Sequence, residues 1–575
     1  MATSKLSPFF FPTILLLLAF SLPISSPQST NSTAAAPTNF CSTTPYPSFC
    51  RSTLPYNKTS TIHDYTRKSV KQSLSQGRQF LRLINYLIRT ASRSKPFQTL
   101  IPPLQDCKFL AQMNVDSLSD TMSTINSRNN LSSFTASDLQ TLLSATLTNL
   151  DTCLDGIRAA DSSSTVVSGL VAPLLNGTKY CSVSLALFAK GWVPPPRKRN
   201  KGRGLMESRH IFSHLDLTHG LPLIMSSQDR RVFESFDGGR RKLLQAPIGG
   251  ISVSQMVVVD KKGGGNFTNI NDAIAAAPNA TNGVVPGNSY FVIYVTKGLY
   301  EEYISIQKNK QNLMMVGDGI GRTTITGNHS VIDGWTTFNS STFAVVAPGF
   351  VAVGITFRNT AGPSKMQAVA LRNGADMSAF FNCSFEGYQD TLYVHSLRQF
   401  YRDCTIYGTV DYIFGNAAVV LQNCRIMSRL PLPNQFNTIT AQGRTDPNQN
   451  TGISIQNCSI KEAKDLALSN GTTRSYLGRP WKAYSRTVVM QSSISSFLNP
   501  AGWAPWAGNA SLDTLYYAEF NNSGIGALTS GRVNWPGFHL INETDAGNFT
   551  VANFTQGDVW LPATGVPFAT GLLVQ

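Results

Sequence analysis

Asp390 and Asp411 each stand seven residues after a cysteine, Cys383 and Cys404, and those cysteines are 21 residues apart. Two carboxylates at one offset in a repeating frame come to the same level on neighbouring turns of the chain, where they can divide the work of acid and nucleophile between them. The frame is a four-residue phrase that recurs as Asn382-Cys383-Ser384-Phe385, Asp403-Cys404-Thr405-Ile406, Asn423-Cys424-Arg425-Ile426 and Asn457-Cys458-Ser459-Ile460, its first three copies stepping by 21 and then 20 residues. A period of that length marks a repeat architecture. Each phrase alternates polar with apolar residues, so it reads as one strand of a solenoid coil whose neighbours stack in parallel roughly 4.8 Å apart. At about that separation two ionised carboxylates repel by roughly 3 kcal/mol at an effective dielectric near 20. One carboxyl therefore keeps its proton while the other stays charged.

Further polar groups lie near the same coils. Gln389 precedes the first aspartate in Gly387-Tyr388-Gln389-Asp390-Thr391-Leu392, and the second opens Asp411-Tyr412-Ile413-Phe414-Gly415. Gln367 heads an apolar run to Leu371, a little over one coil upstream, and Leu477-Gly478-Arg479-Pro480-Trp481 sets a guanidinium beside an indole. Taken singly, each has a structural explanation: Asp caps turns, Gln forms stacking ladders, and Arg-Pro-Trp packs on surfaces. Together they fit an acyl-transfer site. Asp411 would attack an ester carbonyl, with Arg479 keeping it ionised and oriented. Asp390 would protonate the departing alkoxide and later take a proton from water. Gln367 and Gln389 would donate to the oxyanion, and Trp481, Tyr388 and Tyr412 offer flat faces for sugar rings.

From Ser252 onward short apolar runs such as Phe291-Val292-Ile293-Tyr294-Val295 alternate with Gly and Asn, and helical periodicity is largely absent. This pattern predicts a right-handed parallel β-helix, whose long shallow groove suits a linear polymer. Upstream, residues 40 to about 190 read as four helices near 62–92, 102–127, 137–160 and 166–190. In the third, Ser137 and Gln140 suggest a capping box, and Leu139, Leu143, Leu147, Leu150 and Leu154 recur at helical spacing. Four amphipathic helices with short connections predict an up-and-down bundle. Cys41 with Cys50 and Cys107 with Cys153 could staple it, leaving Cys181 as a buried small hydrophobe.

The expected division is a secretory signal over 1–26, the bundle over 38–191, a basic linker over 192–244 and the β-helix over 245–575. Lys5 and the apolar stretch from Phe9 to Ile24 carry the signal, and sequons at Asn57, Asn130, Asn176, Asn266, Asn328, Asn509, Asn542 and Asn553 agree with export. Residues 197–242 hold 11 Lys+Arg against 5 Asp+Glu, which reads as a solvated tether or a cleavage site. The formal charge of +16 invites a nucleic-acid reading, but residues 245–575 hold 21 Lys+Arg against 19 Asp+Glu. The face expected to work is close to neutral, which argues against a nucleic-acid partner.

The blocks Gly298-Leu299-Tyr300-Glu301-Glu302, Gln367 to Leu371, Gly387 to Leu392, Asp411 to Gly415 and Leu477 to Trp481 closely resemble, in this order and at these intervals, the five signature blocks of plant pectin methylesterases. The resemblance spans roughly Val257 to Leu573. The helical region resembles the inhibitor domain that precedes the catalytic domain in the long form of that family, and Arg241-Lys242-Leu243-Leu244 resembles its processing motif. The resemblance implies hydrolysis of methyl esters of homogalacturonan in the plant cell wall, without a metal or organic cofactor. By motif position it implies Asp390 as proton donor, Asp411 as nucleophile, Gln389 as transition-state stabiliser, and Thr337, Gln367, Arg479 and Trp481 at the substrate. It also implies a disulfide between Cys404 and Cys424. The expected partners are methylated homogalacturonan, a protease acting on the linker and the chain's own inhibitor domain, which would hold the esterase silent or assist its folding until the linker is cut; the chain is expected to be a monomer.

This chain departs from the pattern in two places. Tyr412 stands where the family has Phe, which would put a hydroxyl beside Asp411, and Met366 stands where a His is common. Three rival readings are a non-catalytic pectin-binding β-helix, a polygalacturonate lyase or hydrolase on the same fold, and an inhibitor of other esterases acting through residues 40–190. Methanol release, chain shortening and suppression of a foreign enzyme respectively separate them.

Overall fold

A computed structural model describes residues 36–194 and 251–574, apart from loop positions 37, 55, 56, 58, 93, 94, 161–164, 281–288 and 470, together with a two-residue strand at 223–224. The expected signal over 1–26 and the motif at Arg241–Leu244 lie outside the described residues.

Two short helices, α1 (Thr38–Cys41) and α2 (Pro47–Thr53), lead into four long ones, α3 (Ile62–Ala91), α4 (Ile101–Ile125), α5 (Ser133–Ala160) and α6 (Thr165–Trp192). In the bundle α3 packs on α4 and α6, and α5 packs on the same two. The start of α3 is fixed by a capping box between Thr61 and Asp64. The box expected at Ser137 and Gln140 is not the start of α5. That helix begins a turn earlier, where the Ser132 hydroxyl accepts from the Thr135 backbone N–H at 3.0 Å. A serine three residues before Thr135 offers the same capping chemistry, and Leu139 and Leu143 lie within the helix from either start. Cys41–Cys50 ties α1 to α2, and Cys107–Cys153 ties α4 to α5. Cys181 is a buried free thiol, its pKa pushed up to about 11 by burial. Among the described residues no helix is long and apolar enough to cross a membrane.

The second half winds through three parallel sheets of twelve, eight and seven strands, each strand pairing with its counterpart one coil away. This is the parallel β-helix expected from the period. The repeating phrase does not sit wholly within a strand, however. Its first residue, Asn382, Asp403, Asn423 or Asn457, lies at a bend with φ of 50, 54, 58 and 54°, and the strand begins after the cysteine. Asn and Asp tolerate this left-handed conformation best among residues with a side chain. They also join along the stack, Asn423 Nδ2 donating to Asp403 and Asn457 Nδ2 to Asn423 Oδ1 at 3.3 Å.

The Cys404–Cys424 bond implied by the resemblance is not formed, and both residues are buried free thiols. In-register pairing of Thr405 with Arg425 sets the preceding cysteines one above the other, in a column with Cys383 and Cys458. Their side chains therefore run alongside one another, and each thiol donates to backbone carbonyls instead, Cys404 to Phe380 and Arg402, Cys424 to Tyr401 and Gln422.

Aromatic rings fill the coil next to this column. Phe380 is fully buried, stacks on Tyr401 at a centroid separation of 5.0 Å and meets Phe385 edge-on at 5.7 Å. Phe380→Ala is expected to cost about 3–5 kcal/mol, because neighbours in register on both sides cannot collapse into the space. Chemical denaturation of the purified chain measures it.

Candidate active site

Parallel pairing of Leu371 with Leu392, Leu392 with Ile413 and Ile413 with Thr440 aligns four successive coils. Two residues back along each, Val369, Asp390, Asp411 and Thr438 fall into one row, and the Asp390 N–H donates to the Val410 carbonyl at 3.1 Å. Asp390 and Asp411 both have positive φ, 61 and 52°, so the same backbone kink presents both carboxyls. Non-glycine residues held in that region gather at functional sites.

The two carboxyls have unlike surroundings. Asp411 receives Arg479 Nε on one oxygen at 2.8 Å and Arg479 Nη2 on the other at 2.6 Å. The Thr438 hydroxyl adds a bond of 2.6 Å to Oδ1, and the Asp411 N–H donates back to that hydroxyl at 2.9 Å. A bidentate guanidinium fixes the plane of a carboxylate as well as its charge. Arg479 is held in turn over the Trp506 ring, 4.3 Å from its centroid. Asp390 is pushed well above the ordinary carboxylate range, first by burial and then by the charge on Asp411, with Arg479 pulling weakly the other way. The carboxyl whose pKa is raised thus stands beside one gripped on both oxygens by a guanidinium.

The other expected residues lie on the coils of this pair or on coils before and after it. The Gln389 carbonyl accepts from the Ala368 N–H at 3.2 Å, tying its segment to that of Gln367, and both glutamine side chains are half-buried. Trp481 is half-buried against Phe414, 6.0 Å between centroids, and a Cβ on Gly443 would come within 2.9 Å of the indole, so glycine makes the room. Thr337 is half-buried on the loop that leads into the upstream strand Phe343–Val345. Tyr388 lies under Arg429, which stands 3.8 Å from its ring centroid and donates to its hydroxyl.

Tyr412 does not belong to the set. Its ring is fully buried in the core, and its hydroxyl pairs with Ser428 at 3.0 Å. Tyr412 immediately precedes the strand Ile413–Gly415, and both it and Ile413 belong to the buried core of the coils. It therefore offers no face to a sugar, and its hydroxyl is spent away from Asp411.

Thr438 and Trp506 did not emerge from the sequence. The coil carrying Thr438 lies 27 residues beyond Asp411, out of step with the 20–21-residue period, and Trp506 sits in an irregular loop.

The bundle lies against this face. Phe338, Val369, Tyr393, Phe414 and Ala441 share one buried cluster with Leu110, Leu147, Leu154 and other bundle residues, and Trp481 packs on it. Lys482 reaches Asp151 at 3.0 Å and Asp155 at 2.8 Å on α5, and Arg398 reaches Asp138 at 2.6 Å. Asp106 on α4 accepts from Thr336 and Asn339. Burial raises its pKa to about 6 against those bonds and the nearby Arg372 charge.

Comparison with known proteins agrees with this division. A pectinesterase family model matches residues 256–558, and a plant invertase/pectin methylesterase inhibitor model matches residues 35–187. The chain is 52% identical to a probable pectinesterase/pectinesterase inhibitor 7 of Arabidopsis thaliana, over 97% of this chain and 99% of that one. It is 54% identical to a probable pectinesterase/pectinesterase inhibitor 41 of the same plant, over 93% and 94%. Among solved structures a pectin methylesterase from carrot is 52% identical, covering 57% of this chain and 100% of that chain with a TM-score of 0.54.

Proposed function

The chain belongs to the pectinesterase family of carboxylic ester hydrolases, and from that premise we propose that it hydrolyses methyl esters of homogalacturonan to pectate and methanol through an acyl-enzyme on Asp411. The observation that carries this reading is a buried carboxyl, Asp390, its pKa raised by burial and by its neighbour, one coil from a carboxyl held on both oxygens by one arginine, Asp411.

In the first half-reaction a lone pair on Asp411 attacks the ester carbonyl carbon. The oxyanion takes N–H donors from Gln389 and Gln367, which a water-poor site makes more effective than solvent. As the bond to the methoxy group breaks, Asp390 delivers its proton and methanol leaves. In the second half-reaction water attacks the acyl carbon, Asp390 takes back a proton, and Asp411 departs as carboxylate. Trp481 supplies an apolar face to a pyranose ring, with Thr337 and Arg479 beside the substrate.

The bundle is proposed to hold the esterase silent by lying over this groove until the linker, 192–244, is cut after export to the wall. The shared buried cluster and the Lys482 and Arg398 ion pairs support that reading.

The test is methanol release from methylated pectin by chain cleaved in the linker, with polymer length followed alongside. Methanol without shortening is expected. Shortening points to a lyase or hydrolase, and binding without either to a passive pectin module. Arg479→Lys is expected to lower kcat/KM about 100-fold, since a point charge cannot hold both oxygens of Asp411. Steady-state kinetics on the cleaved chain measures this.

A further inference from the structure

Upstream of the paired aspartates, three flat rings stack at the surface of the coil. Tyr303 lies parallel to His329 with centroids 3.5 Å apart, and His329 parallel to Trp335 at 3.7 Å. The outer rings are 40% and 41% exposed, so the stack contributes little to the core. It is nonetheless rigidly built. The Tyr303 hydroxyl donates to Asn328 Oδ1 at 2.8 Å and accepts from the Asn328 N–H at 3.0 Å. A Cβ on Gly327 would come within 2.6 Å of the Tyr303 ring, so glycine is its seat. A turn closed by Trp335 N–H on the Ser330 carbonyl, with Gly334 at φ of 90°, folds the indole back over His329.

An open cleft of about 350 Å³ lies against the stack, lined by Asn328, His329, Asp333, Thr360, Ala361 and Lys365. Lys365 pairs with Asp333, so the cleft offers hydrogen-bonding groups while its one cation is balanced. The Val331 N–H donates to the Gln367 carbonyl at 3.0 Å, and the loop runs on into Thr337. In register, the strand that follows it, Phe343–Val345, lies two coils before Leu392–Val394, or roughly 10 Å along the stack. Asp106 of the bundle touches Thr336 and Asn339, yet Trp335 stays exposed with the bundle in place.

We propose that the Tyr303–His329–Trp335 platform and its cleft are an outlying subsite for a methylesterified galacturonosyl unit of the same pectin chain, a proposal that rests on the esterase reading above. The apolar face of a pyranose lies on the exposed indole, as aromatic surfaces accept sugars. The ring hydroxyls reach Asn328, Thr360 and Lys365. A free carboxylate would meet Asp333 as readily as Lys365, whereas a neutral ester meets no such opposition. Because the rings are ordered in advance, little conformational freedom is lost on binding. The full-length chain would then hold its polymer before its groove is opened.

The intact chain, made in a host without N-glycosylation, isolates this subsite from the covered groove. Calorimetric titration with a fully methylesterified oligogalacturonide is expected to show saturable binding, weakened at least 10-fold by Trp335→Ala and largely restored by Trp335→Phe. A de-esterified oligomer of the same length is expected to bind several-fold more weakly. Binding that is absent, indifferent to Trp335→Ala or as tight for the de-esterified oligomer overturns the proposal. So does a glycan on Asn328 of the exported chain, which would fill the cleft with the protein's own sugar. Methanol release by cleaved chain judges the esterase reading separately: lost binding with retained release sinks only the subsite.

Discussion

Asp411→Asn, in chain cleaved at the linker, releases methanol from methylated pectin roughly 10⁴-fold more slowly than the unsubstituted chain, or not at all. The amide keeps the shape of the carboxylate and a carbonyl oxygen for Thr438 or Arg479, so the fold persists; a thermal melt and near-ultraviolet dichroism check this. What is lost is the anion that attacks. Asp411→Ala is equally inactive but less stable, because Arg479 is left without its partner and Thr438 without its acceptor. Asp390→Asn separates the two roles. It removes a proton donor, which contributes typically 10²–10⁴-fold, and an ester whose leaving group needs no proton should recover much of that loss. The same ester should not rescue Asp411→Asn. Rescue of both variants, or of neither, would contradict the division of labour. The pH profile carries the same signature: Asp390 must be protonated to act first, so kcat/KM falls as pH rises through its elevated pKa.

The pairing of these carboxyls was legible because a β-helix converts sequence period into spatial register. Cys383 and Cys404 mark equivalent points on adjacent coils, so Asp390 and Asp411, at one offset from them, had to align. The helical half was legible from its leucine spacing. Legibility fails where the period fails. Thr438 lies on a coil enlarged by the loop at 429–436, so its place beside Asp411 follows from tertiary pairing alone. Tyr412 was misread because a motif gives identity without facing, and at the entry to the strand both Tyr412 and Ile413 turn into the core. The cysteine column illustrates the same limit: spacing brought Cys404 and Cys424 onto adjacent coils, where both remain buried thiols that donate to backbone carbonyls. The reach of α4 and α5 across the groove left no periodic trace, since Asp106, Asp151 and Asp155 are ordinary helix residues until a cation faces them.

That contact underlies the other large effect. Asp151→Lys with Asp155→Lys is expected to raise methanol release by the intact chain about 100-fold, toward the rate of cleaved chain. Both substitutions lie on α5, outside the esterase groups, and each replaces a partner of Lys482 with a like charge. Breaking a largely buried ion pair costs about 3–5 kcal/mol, and part of that is returned here by the solvent still reaching both aspartates. The remainder must overcome a tether that keeps the bundle at an effective concentration in the millimolar range, which is why a double substitution is needed. A silent double variant whose bundle is demonstrably detached would show that coverage is not what silences the chain. The grip should also depend on pH through Asp106, which faces Thr336, Asn339 and Arg372 in the docked chain. Burial in the docked chain raises its pKa from the ordinary carboxylate value to about 6. Its contribution is therefore full below the undocked value and is lost as pH rises through the docked one. A shift of about two units corresponds to at most about 100-fold in the docking equilibrium. Asp151, facing Lys482 on the same interface, is likewise raised to about 6 by burial, so the ratio of intact to cleaved activity should climb between pH 5 and 7, and Asp106→Asn should reduce that climb.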